Sequence, residues 1–339
     1  MLASKDASTR VIPASLTKVL TAYMVFEALR DKKLREEQMV NVSMAAYKVD
    51  RSSSKMFIDL RTPVSIDDLL HGLMIQSGND AAVQLAEALG GTEEAFAEMM
   101  NKKAAELGMK SSHFQNASGL PGPQHYATAE DFAVLAARVI KDFSEKYKIY
   151  SNKSFTYNNI TEVNRNKLLF TDQTVDGMKT GFVHGSGYNL IASAKRPTDS
   201  GDYRLIAVVT GASTPRARAD DAQKLLSWGF ANYEAARLSA KDAQVASPAV
   251  WKGLEKSVSV GSAEDRYQTI AKGTGNKIST AIVLQDRLMA PLTKGTKVGV
   301  AKVSYDRKTL AEIPVVTLAE VPQAGFFARV WDSVRLWLA

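Results

Sequence analysis

The chain has 339 residues, 43 Lys+Arg against 36 Asp+Glu for a formal charge of +7, and 45% hydrophobic residues, which is the composition of a globular protein of about two domains. No apolar run approaches the roughly 20 residues a bilayer-crossing helix needs, and the absence of cysteine removes disulfides, thiolate metal sites and cysteine nucleophiles. His71, His113, His125 and His184 have no zinc spacing, so no metal or other cofactor is expected; the modest, spread positive charge suits a solubilising surface or weak attraction to an anionic one, not a nucleic-acid footprint.

Apolar residues recur at helical spacing from Ser15 to about Asp31 behind Pro13, predicting a helix there. Ser65 with Asp68 reads as a capping box opening a helix through Leu69, Leu70, Leu73 and Met74. Further helices are predicted over Asp80–Leu89, Glu93–Leu107 and Ala129–Val139, the last opened by Thr128 with Asp131, and a final one over Arg216–Arg237. Strands are predicted over Ser154–Ile160, Tyr188–Ala194 and Tyr203–Thr210. Helix and strand without a repeating βαβ order predict an α+β domain with an antiparallel sheet flanked by helices, over residues 1–240.

From residue 241 to 322 the texture changes to short β-branched runs broken by turn residues. The runs are Lys256–Val260, Tyr267–Ala271, Ser279–Leu284, Lys297–Val303 and Ile313–Leu318, predicting a small all-β domain. Residues 323–339 form a third zone. At 100° steps, Phe326, Phe327, Val330, Trp331, Val334, Trp337 and Leu338 occupy one arc of about 140°, and only Leu336 falls outside it. Arg329, Asp332, Ser333 and Arg335 take the other side. A helix of about 20 Å is too short to span a bilayer and suited to lie in its interface, so an anionic membrane surface is an expected partner.

Ser15-Leu16-Thr17-Lys18 is an S-x-x-K at a helix start. Residues three apart share a helix face, so the hydroxyl and amine can meet, and backbone N–H groups at a helix start favour a developing oxyanion. A serine–lysine pair needs no histidine. The motif alone is weak, since Ser52 and Lys55 match it in a serine-rich stretch read as loop. Ser77-Gly78-Asn79 at a helix–helix junction and Lys179-Thr180-Gly181 just before a strand complete an ordered set that chance reaches rarely.

With these motifs, the chain resembles the low-molecular-mass penicillin-binding proteins that are serine-type D-alanyl-D-alanine carboxypeptidases. Pro13–Lys18, Gln76–Ala81, Asn164-Arg165-Asn166, Val175–Gly181 and Leu225–Phe230 all look like that family, as does the order of catalytic domain, β-rich domain and amphipathic anchor. The resemblance implies a β-lactamase/transpeptidase-like fold and hydrolysis of the terminal D-alanine from peptidoglycan pentapeptide stems. Ser15 is then the nucleophile and Lys18 its base, with a pKa lowered by burial and by Lys179. Ser77 and Asn79 bridge Lys18 to the leaving nitrogen. Lys179, Thr180 and Gly181 hold the terminal carboxylate with Arg218, for which Arg216 is the alternative, and with Arg165 as a further partner. The oxyanion hole is the backbone N–H of Ser15 and Phe182. β-Lactams are implied inhibitors, and the location is the periplasmic face of the bacterial inner membrane.

Three departures stand out. Fourteen residues precede Ser15 with no signal-like segment, predicting a processed chain with a shortened edge strand. Phe182 occupies a position where many relatives carry His, and residues 195–202 form a longer connection than theirs. The alternatives sharing the nucleophile are an endopeptidase or transpeptidase, and a weak β-lactamase, which the lack of E-x-x-L-N in residues 80–178 disfavours. A non-enzymatic alternative is a silent, membrane-tethered wall-binding protein.

Overall fold

The larger apolar core gathers around the Lys18–Arg30 helix, from Val19 to Ala28 buried on all but the Glu27 side. A computed structural model describes residues 1–50, 52–198 and 201–338. The chain divides into two units, one of Met1–Pro197 with Arg204–Phe230, the other of Thr198–Tyr203 with Ala231–Ala339.

In the first unit the helix expected from Ser15 begins as a 3-10 turn, Ala14–Thr17, and becomes α-helical at Lys18. Ser65 caps the Ile66–His71 helix by accepting from the Asp68 N–H at 3.0 Å, as the capping box predicts. That helix widens into a π turn, Gly72–Gln76, and stops at Ser77, whose backbone is left-handed at φ 62 and ψ 34. The helices Asn79–Gly90, Glu93–Leu107 and Ala129–Asp142 follow, the latter two capped by Thr92 and Thr128. Phe96, Met100, Phe132, Leu135 and Val139 join Leu20 and Phe26 in the core.

The strand predicted over Ser154–Ile160 is instead a hairpin, Ser154–Tyr157 against Ile160–Val163. Asn158 and Asn159, at φ 48 and 61, make the tight turn whose twist suits paired strands. Three strands, Val175–Val183, Gly187–Thr198 and Gly201–Ala212, form one sheet in that order, with the first pair antiparallel. Lys179-Thr180-Gly181 lies within the first of these, not before a strand as expected. In the long 195–202 connection, Asp199 and Ser200 lie outside the described residues, as does Arg51 of the serine-rich stretch.

The helix expected over Arg216–Arg237 runs from Pro215 to Asn232. Tyr233–Ser239 is a strand of the second unit, paired antiparallel with Arg266–Ala271. That unit also carries a five-stranded sheet in the order Ile278–Leu284, Lys297–Tyr305, Lys308–Thr317, Val260–Gly261, Gln244–Ala246. Of the expected Lys256–Val260 strand only the end is one. Val258, Val260, Leu288, Val298, Val303, Ile313 and Val315 fill its core.

The last helix, Phe326–Leu338, turns its polar side toward this β-rich unit. Asp332 is buried, accepting from the Lys252 backbone N–H at 2.7 Å with the Lys256 ammonium 3.5 Å away. Leu336, the residue out of place in the apolar arc, is half-buried one turn beyond Asp332, on the same side. Phe326, Phe327, Val330, Trp331, Val334, Trp337 and Leu338 are all exposed. Among the described residues no helix is long and apolar enough to cross a membrane.

Candidate active site

The nucleophile candidate sits on a turn pressed between two backbones. Ala14 has φ 51, a left-handed conformation that costs a residue with a Cβ on the order of 1 kcal/mol. Gly119 faces it from one side at φ +90, where a Cβ would stand 1.8 Å from the Ala14 carbonyl oxygen. Gly181 faces it from the sheet, where a Cβ would meet Pro13 O at 3.0 Å and the Ser15 N at 3.3 Å. The glycine of the K-T-G strand therefore lies in tight approach to the Ser15 turn, where an added Cβ would have to push that turn aside by a few tenths of an ångström.

Ser15, Ser77, Asn79, Thr180, Gly181, Phe182, Arg165 and Arg218 line one cleft of about 1040 Å³ in the first unit. Lys18 and Lys179 lie behind its wall, 0% and 2% exposed. Lys18 Nζ is 3.1 Å from Ser15 Oγ, 2.6 Å from Asn79 Oδ1 and 2.7 Å from the Ser118 carbonyl oxygen. Asn79 Oδ1 and Ser118 O are acceptors only, so a neutral amine spends both its N–H groups on them. Its lone pair is left for the Ser15 hydroxyl proton.

Burial lowers the Lys18 pKa to about 7, with the positive charge of Arg165 acting in the same direction and Asp80 and Glu93 opposing. Lys18 and Lys179 each disfavour the other's charged form, and Arg165 acts on both in the same direction. Lys179 is itself held well below the ordinary lysine range, by burial first and then by Lys18, Arg165 and Arg218.

Asn79 owes its position to Asp80. The buried Asp80 carboxylate accepts from the backbone N–H of Met56 and Phe57, each at 2.9 Å, of Ile58 at 3.3 Å and of Ala81 at 2.9 Å. One carboxylate thereby ties the start of the Asn79–Gly90 helix to the Met56–Ile58 segment.

Arg218, 7% exposed, donates to the Gly181 carbonyl at 3.1 Å with its guanidinium 5.5 Å from the Tyr188 ring centre. Burial lowers its pKa to about 10, which leaves it charged at neutral pH. The alternative, Arg216, has an 88% exposed side chain facing Asp220, so the cleft takes Arg218. Arg165 donates to Ser54 Oγ at 2.7 Å and lies 3.6 Å from Glu162. Phe182 is exposed and stacks on Tyr188 at 4.3 Å; His184 stands at the rim, 5.1 Å from Phe182.

Three contributors escaped the sequence reading. Ser118 reaches Lys18 through its carbonyl, which no side-chain motif encodes. Asn116 Oδ1 holds that loop, accepting from Gly119 N–H at 2.7 Å and from Ser118 and Leu120 N–H at 3.2 Å. Asn116 followed by Gly119 was a legible turn signature. Ser52, Ser53 and Ser54, read as plain loop, line the cleft.

Comparison with known proteins places this geometry in context. Residues 1–214 match the D-alanyl-D-alanine carboxypeptidase family and residues 233–323 the penicillin-binding protein 5 C-terminal domain. The D-alanyl-D-alanine carboxypeptidase DacA of Haemophilus influenzae is 41% identical over 340 residues, spanning 99% of this chain and 86% of that protein. DacC of Escherichia coli is 40% identical over 342 residues, spanning 99% and 84%. The crystal structure of penicillin binding protein 5 from Haemophilus influenzae superimposes with a TM-score of 0.81 at 39% identity, over 95% of this chain and 94% of that one. A Listeria monocytogenes penicillin-binding protein solved in its cefotaxime-bound form matches at TM-score 0.61 and 30% identity, over 68% of this chain and 91% of its own. With a family match over most of the chain and relatives aligned nearly end to end, the chain belongs to the D-alanyl-D-alanine carboxypeptidases.

Proposed function

We propose that this serine carboxypeptidase releases the terminal D-alanine of peptidoglycan pentapeptide stems through an acyl-enzyme on Ser15. The observation that carries the reading is the neutral-range Lys18 amine 3.1 Å from Ser15 Oγ, with its other hydrogen bonds taken by Asn79 and Ser118. Lys18 takes the Ser15 proton as Oγ attacks the carbonyl carbon between the two D-alanines. The backbone N–H groups of Ser15 and Phe182 receive the oxyanion. Lys18 returns the proton toward the leaving nitrogen through Ser77, with Asn79 orienting the substrate amide, and D-alanine departs. Water, deprotonated by Lys18, then hydrolyses the ester.

Lys179, Thr180 and Arg218 hold the terminal carboxylate, with Arg165, which lines the same cleft, as a further partner. The arriving carboxylate supplies a counter-charge that favours the charged form of Lys179. β-Lactams, which mimic the dipeptide, acylate the same oxygen. The first unit carries the catalysis, the β-rich second unit follows it from about residue 231, and the last helix is the anchor. The outward apolar face of the last helix supports peripheral attachment to an anionic membrane surface, on the periplasmic side of the inner membrane.

The test is Ser15→Ala. It abolishes D-alanine release from diacetyl-Lys-D-Ala-D-Ala and the covalent benzylpenicillin adduct in intact-mass spectra, with Tm nearly unchanged. An adduct persisting in that variant would remove Ser15 from the role.

A further inference from the structure

The strand carrying Lys179 and Thr180 contains a bulge, and an ion pair outside the cleft fastens it. Val175 pairs with Ala194 and Gly177 with Ser193, so two steps on one strand oppose one step on the other and Asp176 is the extra residue. From Gly177 onward the register is regular, with Lys179 opposite Ile191 and Thr180 opposite Leu190. Successive side chains of a strand point to opposite faces. The bulge at Asp176 therefore sets the phase that sends Lys179 behind the wall and Thr180 into the cleft. A slip of one residue would exchange the two.

The Asp176 carboxylate is gripped from a strand two places away in the sheet. Arg204 Nη1 donates to Oδ1 at 2.7 Å and Nη2 to Oδ2 at 2.6 Å, a two-point pairing that fixes orientation as well as distance. The same Nη1 donates to Ser193 Oγ, so one guanidinium ties all three strands together at the bulge. Tyr147 OH donates to Asp176 Oδ1 at 3.1 Å, and its ring lies 5.2 Å from the Arg204 guanidinium. On the next residue, Asn166 Nδ2 donates to the Gly177 carbonyl at 3.0 Å.

We infer that the Arg204–Asp176 pair is a positioning device for carboxylate recognition, holding the bulge in the phase that turns Thr180 into the cleft toward the terminal carboxylate of the substrate and seats the Lys179 amine behind it. Neither residue lines the cleft. The inference rests on the proposed reading of Lys179 and Thr180, and it concerns the leaving-group side of the substrate, not the Ser15–Lys18 pair.

The experiment compares two compounds that give the same acyl-enzyme: diacetyl-Lys-D-Ala-D-Ala and the diacetyl-Lys-D-alanyl methyl ester, which lacks a terminal carboxylate. In Asp176→Asn and Arg204→Lys, which keep bulk but lose the charge or the two-point fork, KM for the dipeptide substrate rises by about ten- to a hundredfold, the scale of a misplaced binding group. Turnover of the methyl ester stays close to that of the parent. The combined Asp176→Arg and Arg204→Asp exchange recovers part of the loss. Equal losses on both compounds, or none on either, would overturn the positioning role. Failure of the parent protein to cleave either compound would instead remove the functional reading, and this inference with it. Circular dichroism on each variant, with Arg204→Lys as the milder change, separates misfolding from misplacement: a variant that unfolds at assay temperature counts for a purely structural role.

Discussion

Asn79 Oδ1 accepts from Lys18 Nζ at 2.6 Å, a shorter contact than the 3.1 Å between the same amine and Ser15 Oγ. The amide is thus the firmer of the two partners and decides where the lysine lone pair points. Asp80, bonded to four backbone N–H groups, holds the turn from which Asn79 reaches in.

A base with a pKa of about 7 gives a rising acid limb. Acylation by benzylpenicillin should climb as pH rises through about 7 and level off above it, because only the unprotonated amine accepts the Ser15 proton. Arg165→Ala removes a positive charge that disfavours the ammonium, so the Lys18 pKa rises and the midpoint of the limb moves to higher pH. Stopped-flow acylation rates across pH check this, and an unmoved midpoint would contradict it.

Gly119→Ala places a Cβ 1.8 Å from the Ala14 oxygen at a backbone φ of +90. Overpacking of this kind costs about 1–3 kcal/mol, and acylation should fall with it because the Ser15 turn must move. Gly91→Ala is the control: it has φ +82 with nothing within 4 Å, so it isolates the backbone cost alone. Paired thermal melts should show the larger drop in Tm for Gly119→Ala.

His125 is a buried imidazole whose pKa falls to about 4, through burial first, then the charges of His113 and Lys18. Gln115 N–H donates to its Nδ1 at 3.3 Å, which leaves Nε2 protonated and donating to Thr17 Oγ1 at 3.0 Å. The depressed pKa means that the unfolded chain binds a proton the native one refuses. The stability involved is complete above the unfolded value of 6.5 and is lost as pH falls from there through about 4. The loss is on the order of 3 kcal/mol. His125→Gln should flatten that part of the denaturant-measured stability profile, while the parent declines across it.

Removing Gly325–Ala339 should leave D-alanine release in solution intact and reduce binding to anionic liposomes in a flotation assay. Equal flotation of both forms would refute the anchor. Asp332→Ala offers a second measurement, since it frees the polar side of the helix from Lys252 without altering the exposed Phe, Trp and Leu residues. Its liposome binding should stay at the parent level.

The motif residues were legible because their chemistry is carried by side chains at fixed spacing. Ser15 and Lys18 lie one turn apart, and Ser77, Asn79, Thr180 and Arg218 converge on the same cleft. What stayed hidden acts through the backbone or through distant pairing. Ser118 contributes a carbonyl, and the extra residue at Asp176 becomes visible only when two strands are laid side by side. Tyr233–Ser239 has the residues of a helix and continues one in sequence, yet it pairs with Arg266–Ala271. Tertiary pairing there outweighs local preference. The Asn158–Asn159 turn is a local signal, and its left-handed geometry splits a single expected strand into a hairpin. Leu336 broke the apolar arc of the last helix because it belongs with Asp332, on the side that meets the β-rich unit.

The glycine walls on either side of the Ser15 turn also limit how this chain can escape an acylating drug. A side chain acquired at Gly119 displaces the nucleophile's turn before it excludes an inhibitor, and one at Gly181 crowds that turn. Tolerable variation is pushed outward to the rim, to Ser52–Ser54 and the exposed Phe182, where new atoms meet the ligand and leave the reacting oxygen in place. Altered drug sensitivity with retained turnover should therefore accumulate at those rim positions.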